Sequence, residues 1–292
     1  MNEISLKALA KINLGLDVLR RREDGYHEVR MVMQTIRLYD WIQMRRIRQP
    51  EIRVSTNLYY LPCNENNLVY KAAKLLMEEF QISGGVAIDL KKRIPVAAGM
   101  AGGSSDAAAA LFGLNLLFRL RLSRQQLMKR GVKIGADVPY CILRGTALAE
   151  GIGEELTALP PAPKCPVLVA KPPISVSTKW VYENLRLGED TAHPDIDGLL
   201  AAIEAQDAEQ MAQRMGNVLE TVTIPRYPVI QEIKDVMKQN GAMNAIMSGS
   251  GPTVFGLFGD KEAAEAARKE LRAKELARQI YLTDFYNNRR EP

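Results

Sequence analysis

Histidine and cysteine are scarce in this chain of 292 residues, which contains two of the first and three of the second. With only His27 and His193, a His-rich zinc site is excluded, and any Ser-His-Asp triad would have to use one of these two side chains. Cys63, Cys141 and Cys165 lie far apart and form no CxxC pair. Such an odd, scattered set predicts buried free thiols in a reducing compartment.

The chain also lacks a stretch that is long and apolar enough to cross a membrane. Its most apolar segment, 107–118, is too short for a spanning helix and contains Asn115. Glu3, Lys7 and Lys11 precede any long apolar run, so no secretory signal is predicted. We therefore expect a cytoplasmic protein.

Neither sign of charge is in large excess, since 39 Lys and Arg against 34 Asp and Glu leave a net charge of +5. This surplus suits a binder of phosphorylated small molecules but is too small to require nucleic acid. Three basic runs contain few interleaved aromatic residues and are therefore predicted to be solvated faces. They are 20–22, 45–48 and 91–93. Apolar residues make up 47% of the chain, enough for a full core, which excludes disorder and a disulfide scaffold.

Alternation of apolar and polar residues predicts strands in the first hundred residues. Residues 4–8 and 12–18 are predicted to be two half-buried antiparallel strands, followed by a polar loop that turns at Gly25. A second hairpin is predicted from 29–36 and 41–47, with its turn at Tyr39-Asp40. One further strand is predicted at 86–90.

Helical patterns follow these strands. Asn66-Asn67 predicts the start of a helix whose apolar face runs from Leu68 to Phe80. An Ala-rich helix is predicted from Ser104 to about Phe118, and the next is capped by Ser123 and stops near Gly131 or Gly135. In the second half, helices are predicted at 178–185, 196–205, 208–218, 229–239 and from 261, and strands at 244–247, 253–258 and 279–283.

Six of the fifteen prolines fall between Pro160 and Pro173, which is the sharpest change of composition in the chain. We place a domain boundary there, so that the N-terminal domain is 1–160 and the C-terminal domain is 161–292. Because strands and helices are mixed in both halves, the predicted fold class is α+β with two domains and a ligand cleft between them.

The segment 95–105, Pro-Val-Ala-Ala-Gly-Met-Ala-Gly-Gly-Ser-Ser, is the most informative about function. Gly99, Gly102 and Gly103 allow backbone to approach a ligand closely. The first N–H groups of the helix that follows are unpaired and partly positive, and the two serines add donors, so phosphate binding is predicted. The segment is neither a P-loop nor a Rossmann loop, because the chain contains no GK[ST] and no GxGxxG. A tight turn before a core helix is the alternative.

Lys11 and Asp137 are candidates for the chemistry. Asp137, in Gly-Ala-Asp-Val-Pro, and Lys11, in Leu-Ala-Lys-Ile-Asn, stand among apolar and small residues, where an unpaired charge is costly. Together they could form one buried ion pair suited to phosphoryl transfer, in which the aspartate accepts a hydroxyl proton and the lysine balances developing charge. A turn-capping aspartate and a solvated lysine are the alternatives.

Two further clusters are unusual. Asp24-Gly-Tyr-His27 places a histidine beside an aromatic residue in a polar loop, where both rings could contact a flat heterocycle. A structural histidine is the alternative. Ser248-Gly-Ser-Gly-Pro-Thr253 is explained by a tight hairpin, and its donors could also face an anion.

These motifs, in this order, resemble those of the GHMP family of small-molecule kinases over nearly the whole chain. The matching segments are 10–14, 24–27, 67–68, 95–105, 135–139 and 248–253. Leu9 stands where the family often has proline, and Met100 stands where leucine is usual. Both are apolar exchanges that affect packing rather than chemistry.

The resemblance implies an ATP-dependent kinase that is assisted by Mg²⁺ and has Lys11 and Asp137 as its catalytic pair. It does not indicate which residues bind the metal. Asp-Gly-Tyr-His beside Ala-Lys-Ile-Asn implies a member that phosphorylates the 2-hydroxyl of a methylerythritol carried on cytidine diphosphate, in non-mevalonate isoprenoid synthesis. The nucleotide-binding residues so implied are Asn67, Leu68, Pro95, Val96, Ala97, Ala98, Gly99, Met100, Ala101, Gly102, Gly103, Ser104 and Ser105. The substrate-binding residues so implied are Asn13, Tyr26, His27, Tyr182, Gly249 and Ser250, with His27 reading the cytosine edge and Tyr182 stacking on the base.

Two other functions remain open at this point. One is a kinase of the same family that acts on homoserine or a mevalonate derivative, which would have no use for Tyr26, His27 and Tyr182. The other is a nucleotide-binding sensor without catalysis, which would bind ATP but transfer no phosphate. In each case we expect a monomer or weak homodimer that binds neither nucleic acid nor membrane.

Overall fold

The computed structural model describes residues 2–188 and 190–289, which form two β-sheets with helices packed on them. The strands are β1 (Glu3–Arg21), β2 (His27–Ile47), β3 (Ile52–Thr56), β4 (Gly85–Lys91), β5 (Thr146–Glu150), β6 (Glu155–Ala158), β7 (Pro166–Lys171), β8 (Gly216–Asn217), β9 (Ala242–Met247), β10 (Val254–Phe258) and β11 (Gln279–Asp284). The larger sheet has the order β3-β4-β2-β1-β8, with β5 beside β2 and β6 beside β5. The smaller sheet is antiparallel, in the order β11-β7-β10-β9.

The helices are α1 (Leu68–Glu79), α2 (Gly102–Leu117), α3 (Arg124–Gly131), α4 (Val138–Leu143), α5 (Thr178–Asn184), α6 (Ile196–Glu204), α7 (Ala208–Gln213), α8 (Glu220–Arg226), α9 (Val229–Gln239) and α10 (Lys261–Ala273). Helix α2 packs on β1 and β2 with α1 and α4 beside it, and α9 and α10 pack on the smaller sheet. Across the part of the chain that the structure describes, no helix has the length and apolarity needed to span a bilayer.

A hydrophobic core between the two sheets holds the 95–103 loop in place. Ile12 of β1 and Ile36 of β2 belong to the same cluster as Phe255 of the smaller sheet. Ala98 and Met100 of the loop belong to it as well, and Met100 is only 1% exposed. The loop is therefore anchored by apolar packing between the two halves of the molecule.

The two hairpins predicted for the first half are wrong in detail, because β1 and β2 are two long strands that form a single hairpin. Its turn lies at Gly25, as predicted, where φ is +86°. The pairing register shifts after Leu9 and after Asn13. Such irregularities interrupt the alternation of side chains, so one long strand looks like two short ones in the sequence. Asp40, predicted at a turn, lies within β2 and is fully buried.

Most of the predicted helices are confirmed, with shifted ends. Helix α2 begins at Gly102 instead of Ser104, because Ala101 occupies the N-cap position with a left-handed φ of 52°. The helix predicted for 208–218 ends at Gln213, since Gly216–Asn217 pairs with β1 as β8. The short helices α4 and α8 and the strands β3, β5, β6, β7 and β8 were not predicted. Mixed strands and helices in both halves agree with the α+β class, and the boundary between 160 and 161 stays a prediction.

The cysteines depart from the prediction at one position. All three are free thiols, and Cys141 and Cys165 are buried as expected. Burial raises the pKa of Cys165 to about 12, with a smaller contribution from the charge of Asp284. Cys63 is exposed, because it lies in the surface loop between β3 and α1.

Candidate active site

A cavity of about 970 Å³ opens between the 95–103 loop, the start of α2, the tip of the β1–β2 hairpin and α5. This volume is near the upper end for small-molecule sites, which leaves room for two ligands. The predicted site residues that line the cavity are Lys11, Tyr26, His27, Asn67, Leu68, Pro95, Val96, Ala97, Ala98, Gly99, Ala101, Gly102, Gly103, Ser104, Asp137, Tyr182, Gly249 and Ser250. Asn13, Met100 and Ser105 do not line it.

The backbone of the 95–103 loop is unusual. Ala97, Gly99 and Ala101 have positive φ values of 49°, 71° and 52°. For alanine this conformation costs on the order of 1 kcal/mol, and such strain is concentrated at functional sites. The first helical hydrogen bond of α2 runs from the Ser105 N–H to the Ala101 carbonyl, at 2.8 Å. The N–H groups of residues 102–104 therefore have no acceptor within the helix and are available to an anion at the cavity wall.

The two serines that follow the glycines have different roles. The Ser105 hydroxyl is buried and donates to the Leu9 carbonyl at 2.6 Å, so it holds α2 on β1 and is not a donor to a ligand. The Ser104 hydroxyl lines the cavity and makes no hydrogen bond to any other described residue. Of the two, Ser104 alone fits the predicted phosphate contact.

The three glycines of the loop also differ in whether a larger residue would fit there, and for what reason. A Cβ at Gly99 would collide with the carbonyl of Ser248, and a Cβ at Gly102 would lie 3.1 Å from Ile94 Cγ2 and 3.3 Å from Lys92 Nζ. At Gly103 the nearest atom would be Leu68 Cδ1, at an ordinary 3.5 Å. The expectation that all three serve ligand approach is therefore too simple. Gly99 and Gly102 are needed for packing inside the protein, whereas Gly103 faces the open cavity.

The second glycine-rich turn joins β9 and β10, which confirms the predicted hairpin. It also touches the first loop, because the Ser248 hydroxyl donates to the Gly99 carbonyl at 3.0 Å. Asn217 of β8 donates to the carbonyls of Met247 and Gly249, at 2.7 and 2.8 Å. The turn is thus fixed from both sides, and its residues 249 and 250 form part of the cavity wall.

Lys11 and Asp137 come together, as the sequence predicts. Lys11 Nζ lies 3.9 Å from Asp137 Oδ2 and donates to Asn13 Oδ1 at 2.8 Å. Asp137 occupies the N-cap position of α4, but its side chain makes no capping hydrogen bond. The capping alternative is therefore not realised. The pair is only half buried, since the Lys11 side chain is 6% exposed and that of Asp137 is 37% exposed.

Register shifts in β1 explain why Lys11 and Asn13 face this site. Ala8 packs in the core beneath α2, Ile12 packs in the core between the sheets, and Leu16 packs beneath α2 again. In an unbroken strand these three residues would share one face. The shifts after Leu9 and after Asn13 exchange the faces, so that Lys11 and Asn13 point to the α2 side. Asn13 itself is fully buried, and we expect it to position Lys11 instead of contacting substrate.

The aromatic residues form a group at the hairpin end of the cavity. The rings of His27 and Tyr182 are 5.0 Å apart, with an angle of 43° between their planes, and Tyr26 is 60% exposed. Burial lowers the pKa of His27, and the charge of Arg21 lowers it further, so the imidazole is neutral at pH 7. Burial raises the pKa of Tyr182 to about 12, with a contribution from the charge of Asp137, so the phenol keeps its proton.

A buried cluster of Lys92, Asp40 and Asp106 was missed from the sequence. Lys92 Nζ contacts a carboxylate oxygen of Asp40 and lies 2.6 Å from Asp106 Oδ2. Asp40 Oδ1 also accepts from the backbone N–H groups of Arg93 and Ile94. Lys91 and Arg93 are exposed, as predicted, but Lys92 is not part of a solvated face, because its side chain is only 4% exposed. The signal that was available is a lysine immediately before the glycine loop.

The charged groups in this cluster shift the pKa values of one another. Burial raises the pKa of Asp106 well above its ordinary value, and Asp40 adds to the effect, although the Lys92 charge opposes it. Burial lowers the pKa of Lys92, but the two carboxylates outweigh this effect and leave it raised. The cluster therefore favours the charged form of Lys92, while burial makes the charged form of Asp106 costly.

The matches to known families now decide what kind of protein this is. A model described as GHMP kinases N terminal domain matches residues 67–145, and one described as GHMP kinases C terminal matches residues 199–276. The chain belongs to the GHMP kinase family. This confirms the resemblance seen in the motifs, the kinase activity and the α+β kinase fold, and kinases of this family use ATP.

Among relatives of this GHMP kinase, a protein of Lachnospira eligens named 4-diphosphocytidyl-2-C-methyl-D-erythritol kinase is 61% identical, with 98% of this chain and 99% of that one covered. A protein of Lachnoclostridium phytofermentans with the same name is 60% identical over 99% of each chain. A crystal structure of 4-(cytidine 5'-diphospho)-2C-methyl-D-erythritol kinase is 32% identical, with a TM-score of 0.84 and coverage of 98% and 100%. A homoserine kinase from Cytophaga hutchinsonii is similar in fold, at 20% identity and a TM-score of 0.80 over 99% and 96% of the two chains.

Proposed function

We propose that this kinase transfers the γ-phosphate of ATP to the 2-hydroxyl of 4-diphosphocytidyl-2-C-methyl-D-erythritol. The observation that supports this most strongly is that one cavity contains the 95–103 loop, the Lys11–Asp137 pair and the aromatic group of Tyr26, His27 and Tyr182. Relatives that are 60% and 61% identical over nearly their whole length carry the name of this activity.

In the proposed reaction, the substrate hydroxyl oxygen forms a bond to the γ-phosphorus while the bond to the bridging oxygen of ADP breaks. The hydroxyl proton moves to Asp137, whose carboxylate faces the cavity and accepts no hydrogen bond from another described residue. Lys11, held by Asn13, balances the charge that develops on the transferred group. Because phosphoryl transfer has a loose transition state, positioning and charge should matter more than the basicity of Asp137.

The triphosphate would bind to the N–H groups at residues 102–104, with adenine near Asn67 and Leu68. The side chain of Asn67 is already engaged, since Oδ1 accepts from the Val69 N–H at 2.9 Å and Nδ2 donates to the Pro62 carbonyl at 2.8 Å. We therefore expect Asn67 to shape the wall for adenine by fixing residues 61–62 and the start of α1.

Magnesium fits this site as an ion that arrives with the nucleotide. Within residues 2–188 and 190–289 there is no cluster of three or more His, Cys, Asp or Glu side chains that could hold a metal. Mg²⁺ needs few protein ligands when phosphate oxygens and water complete its octahedron. The Ser104 hydroxyl, which bonds to no other described residue, is one protein oxygen that the cavity offers beside the N–H groups of residues 102–104. When bound, the ion would neutralise phosphate charge.

The cytosine base would contact the aromatic group. A neutral His27 offers one donor and one acceptor, which suits a base edge that carries both kinds of group. Tyr182 is fixed against His27, and Tyr26 presents an exposed ring from the hairpin turn. Each aromatic face can stack on a base, as in other nucleotide sites.

The proposal is tested by offering the purified protein ATP with three acceptors: the cytidyl substrate, homoserine and mevalonate. We expect ADP release and phosphorylated product with the cytidyl substrate only. Turnover of homoserine or mevalonate instead would favour the first alternative. ATP binding without transfer to any of the three would favour the sensor.

The role of His27 is tested by His27→Gln, with His193→Gln as a matched control outside the cavity. Loss of one hydrogen bond to the base should raise KM for the cytidyl substrate by about 3- to 10-fold and leave KM for ATP unchanged. An equal effect of the two substitutions, measured by initial rates, would contradict base recognition by His27.

Three expectations about the protein as a whole stay predictions. We expect it to act in the cytoplasm, to be a monomer or weak homodimer, and to bind neither membranes nor nucleic acid. Light scattering over a range of concentrations would measure the oligomeric state.

A further inference from the structure

The charged side chains that line the cavity occur almost entirely in pairs. Lys11 is 3.9 Å from Asp137, Lys92 is 2.6 Å from Asp106, and Lys179 of α5 is 3.8 Å from Glu183. All six of these side chains line the cavity. Each lysine charge on the wall is therefore balanced by a carboxylate that shares the same wall.

Arg21 is the exception. Its side chain lines the cavity, and no carboxylate of the described residues lies within ion-pair distance of it. Its neighbours along the chain are different, because Arg20 pairs with Glu28 and Arg22 pairs with Asp24. Arg20 and Arg21 are successive residues of β1, so their side chains point in opposite directions. All three arginines are exposed, as predicted, but only Arg21 of the three also lines the cavity.

The position of Arg21 places its charge beside the aromatic group. Arg21 is paired with His27 in the register of β1 and β2. Its guanidinium is also close enough to lower the pKa of His27, after the larger effect of burial. Across the cavity, the charges of Lys179 and Glu183 on α5 oppose each other, which leaves Arg21 as the uncompensated charge at this end.

We propose that Arg21 binds the diphosphate that links cytidine to the sugar alcohol in the acceptor substrate. This inference rests on the proposed function. A guanidinium presents parallel N–H donors that match a phosphate group, and an unpaired one needs no carboxylate to be displaced first. A base held by His27 and Tyr182 carries its 5'-phosphates next to it, which is where this charge lies. Arg21 would then discriminate a cytidine diphosphate from the bare nucleoside.

The test compares binding of cytidine 5'-diphosphate and cytidine to the full-length protein by calorimetry, at pH 8, where His27 is neutral with or without Arg21. The wild type should bind the diphosphate more tightly than the nucleoside, and Arg21→Gln should reduce that preference by about 10- to 100-fold. Arg21→Lys should keep part of the preference for the diphosphate, because the ammonium group keeps the positive charge but lacks the parallel N–H donors of the guanidinium. Arg20→Gln, which removes an exposed charge one residue away, should change nothing.

Steady-state kinetics give the second measurement. Arg21→Gln should raise KM for the cytidyl substrate by a similar factor and leave kcat and KM for ATP unchanged. An unaltered preference for the diphosphate in Arg21→Gln would overturn the inference while the proposed function stands. Failure of the wild type to bind either cytidine compound would instead overturn the proposed function, and this inference with it.

Discussion

Two lysine–aspartate clusters lie beside the 95–103 loop, the proposed phosphate-binding loop, and differ in exposure and in the closeness of their contacts. In the first, Lys11 and Asp137 are 3.9 Å apart, and the Asp137 side chain is 37% exposed. In the second, Lys92 contacts both Asp40 and Asp106, and none of the three side chains is more than 4% exposed. The first cluster is loose and partly exposed to solvent, which we call open, whereas the second is tight and almost fully buried, which we call closed.

This difference is what we expect if the first cluster reacts with substrate, as proposed, and the second supports the loop. A carboxylate that takes a proton from substrate needs access and free lone pairs, and Asp137 has both. A carboxylate that holds a loop needs satisfied lone pairs, and Asp40 accepts from Lys92 and from the N–H groups of Arg93 and Ile94. These last two residues lead directly into the phosphate-binding loop. The closed cluster therefore fixes the path of the backbone on which the open one depends.

The largest expected effect is that of Asp137→Asn in the open cluster. The amide cannot accept the hydroxyl proton, so kcat should fall by about 10²- to 10⁴-fold while the affinity for ATP is nearly kept. Rapid-quench assays and ATP titrations measure the two quantities. Asp235→Asn, on the exposed surface of α9, is the matched control. Full activity of Asp137→Asn would remove the basis for calling the open cluster catalytic.

Lys92→Met should have the largest effect on stability. It leaves two buried carboxylates without a counter-ion, and breaking a buried pair in this way costs about 3 to 5 kcal/mol. Urea denaturation at pH 7 gives the change in the free energy of unfolding. Lys11→Met is the comparison: it should alter stability by less than about 1 kcal/mol, because its partner is open to water. Similar losses in the two variants would erase the distinction between the clusters.

The double variant Lys11→Met with Asp137→Asn tests whether the open cluster acts as one unit. Groups that act together in catalysis are not additive, so its rate should be within about 10-fold of the slower single variant. Initial rates of all four proteins complete the cycle. If the two losses multiply instead, Lys11 and Asp137 act independently.

The last expected effect concerns the pH dependence of stability. Because the pKa of Asp106 is raised in the folded protein, the folded state binds more protons than the unfolded state above pH 3.8. The stability that this carboxyl contributes is present at low pH and is lost as the pH rises through the raised pKa. Asp106→Asn removes this loss, so its stability relative to the wild type should increase with pH, by on the order of 1 kcal/mol per pH unit. Denaturation curves between pH 4 and pH 8 measure the slope, and parallel curves would contradict it.

The parts of the site that could be predicted are those encoded by neighbours in the sequence. The phosphate-binding loop is a run of small residues followed by a helix start, and its geometry depends on φ angles that glycine and alanine in that run can adopt. The turn at Gly25 and the caps at Asn67 and Ser123 are local in the same sense. The pairing of Lys11 with Asp137 was predictable only as a way to satisfy two charges in apolar surroundings.

The parts that were missed depend on contacts between distant segments. Lys92 and Asp40 are separated by 52 positions, so nothing near Lys92 in the sequence shows that it is buried. Ser105 was expected to face the ligand, but the packing of α2 on β1 turns its hydroxyl to Leu9. Arg21 was grouped with two similar neighbours, and only the register of the hairpin separates it from them.

The amino-acid sequence by itself was sufficient to identify the family and its kinase chemistry, because the motifs that resemble those of the GHMP kinases are short and each is formed by neighbouring residues. Tertiary structure alone decided which charges are open and which are closed. The free energy of a charge depends on burial and on partners, and here those partners come from strands and helices that meet only when the chain is folded. The same kind of lysine–aspartate contact therefore forms a half-buried pair at Lys11 and Asp137 and a fully buried cluster at Lys92 and Asp40.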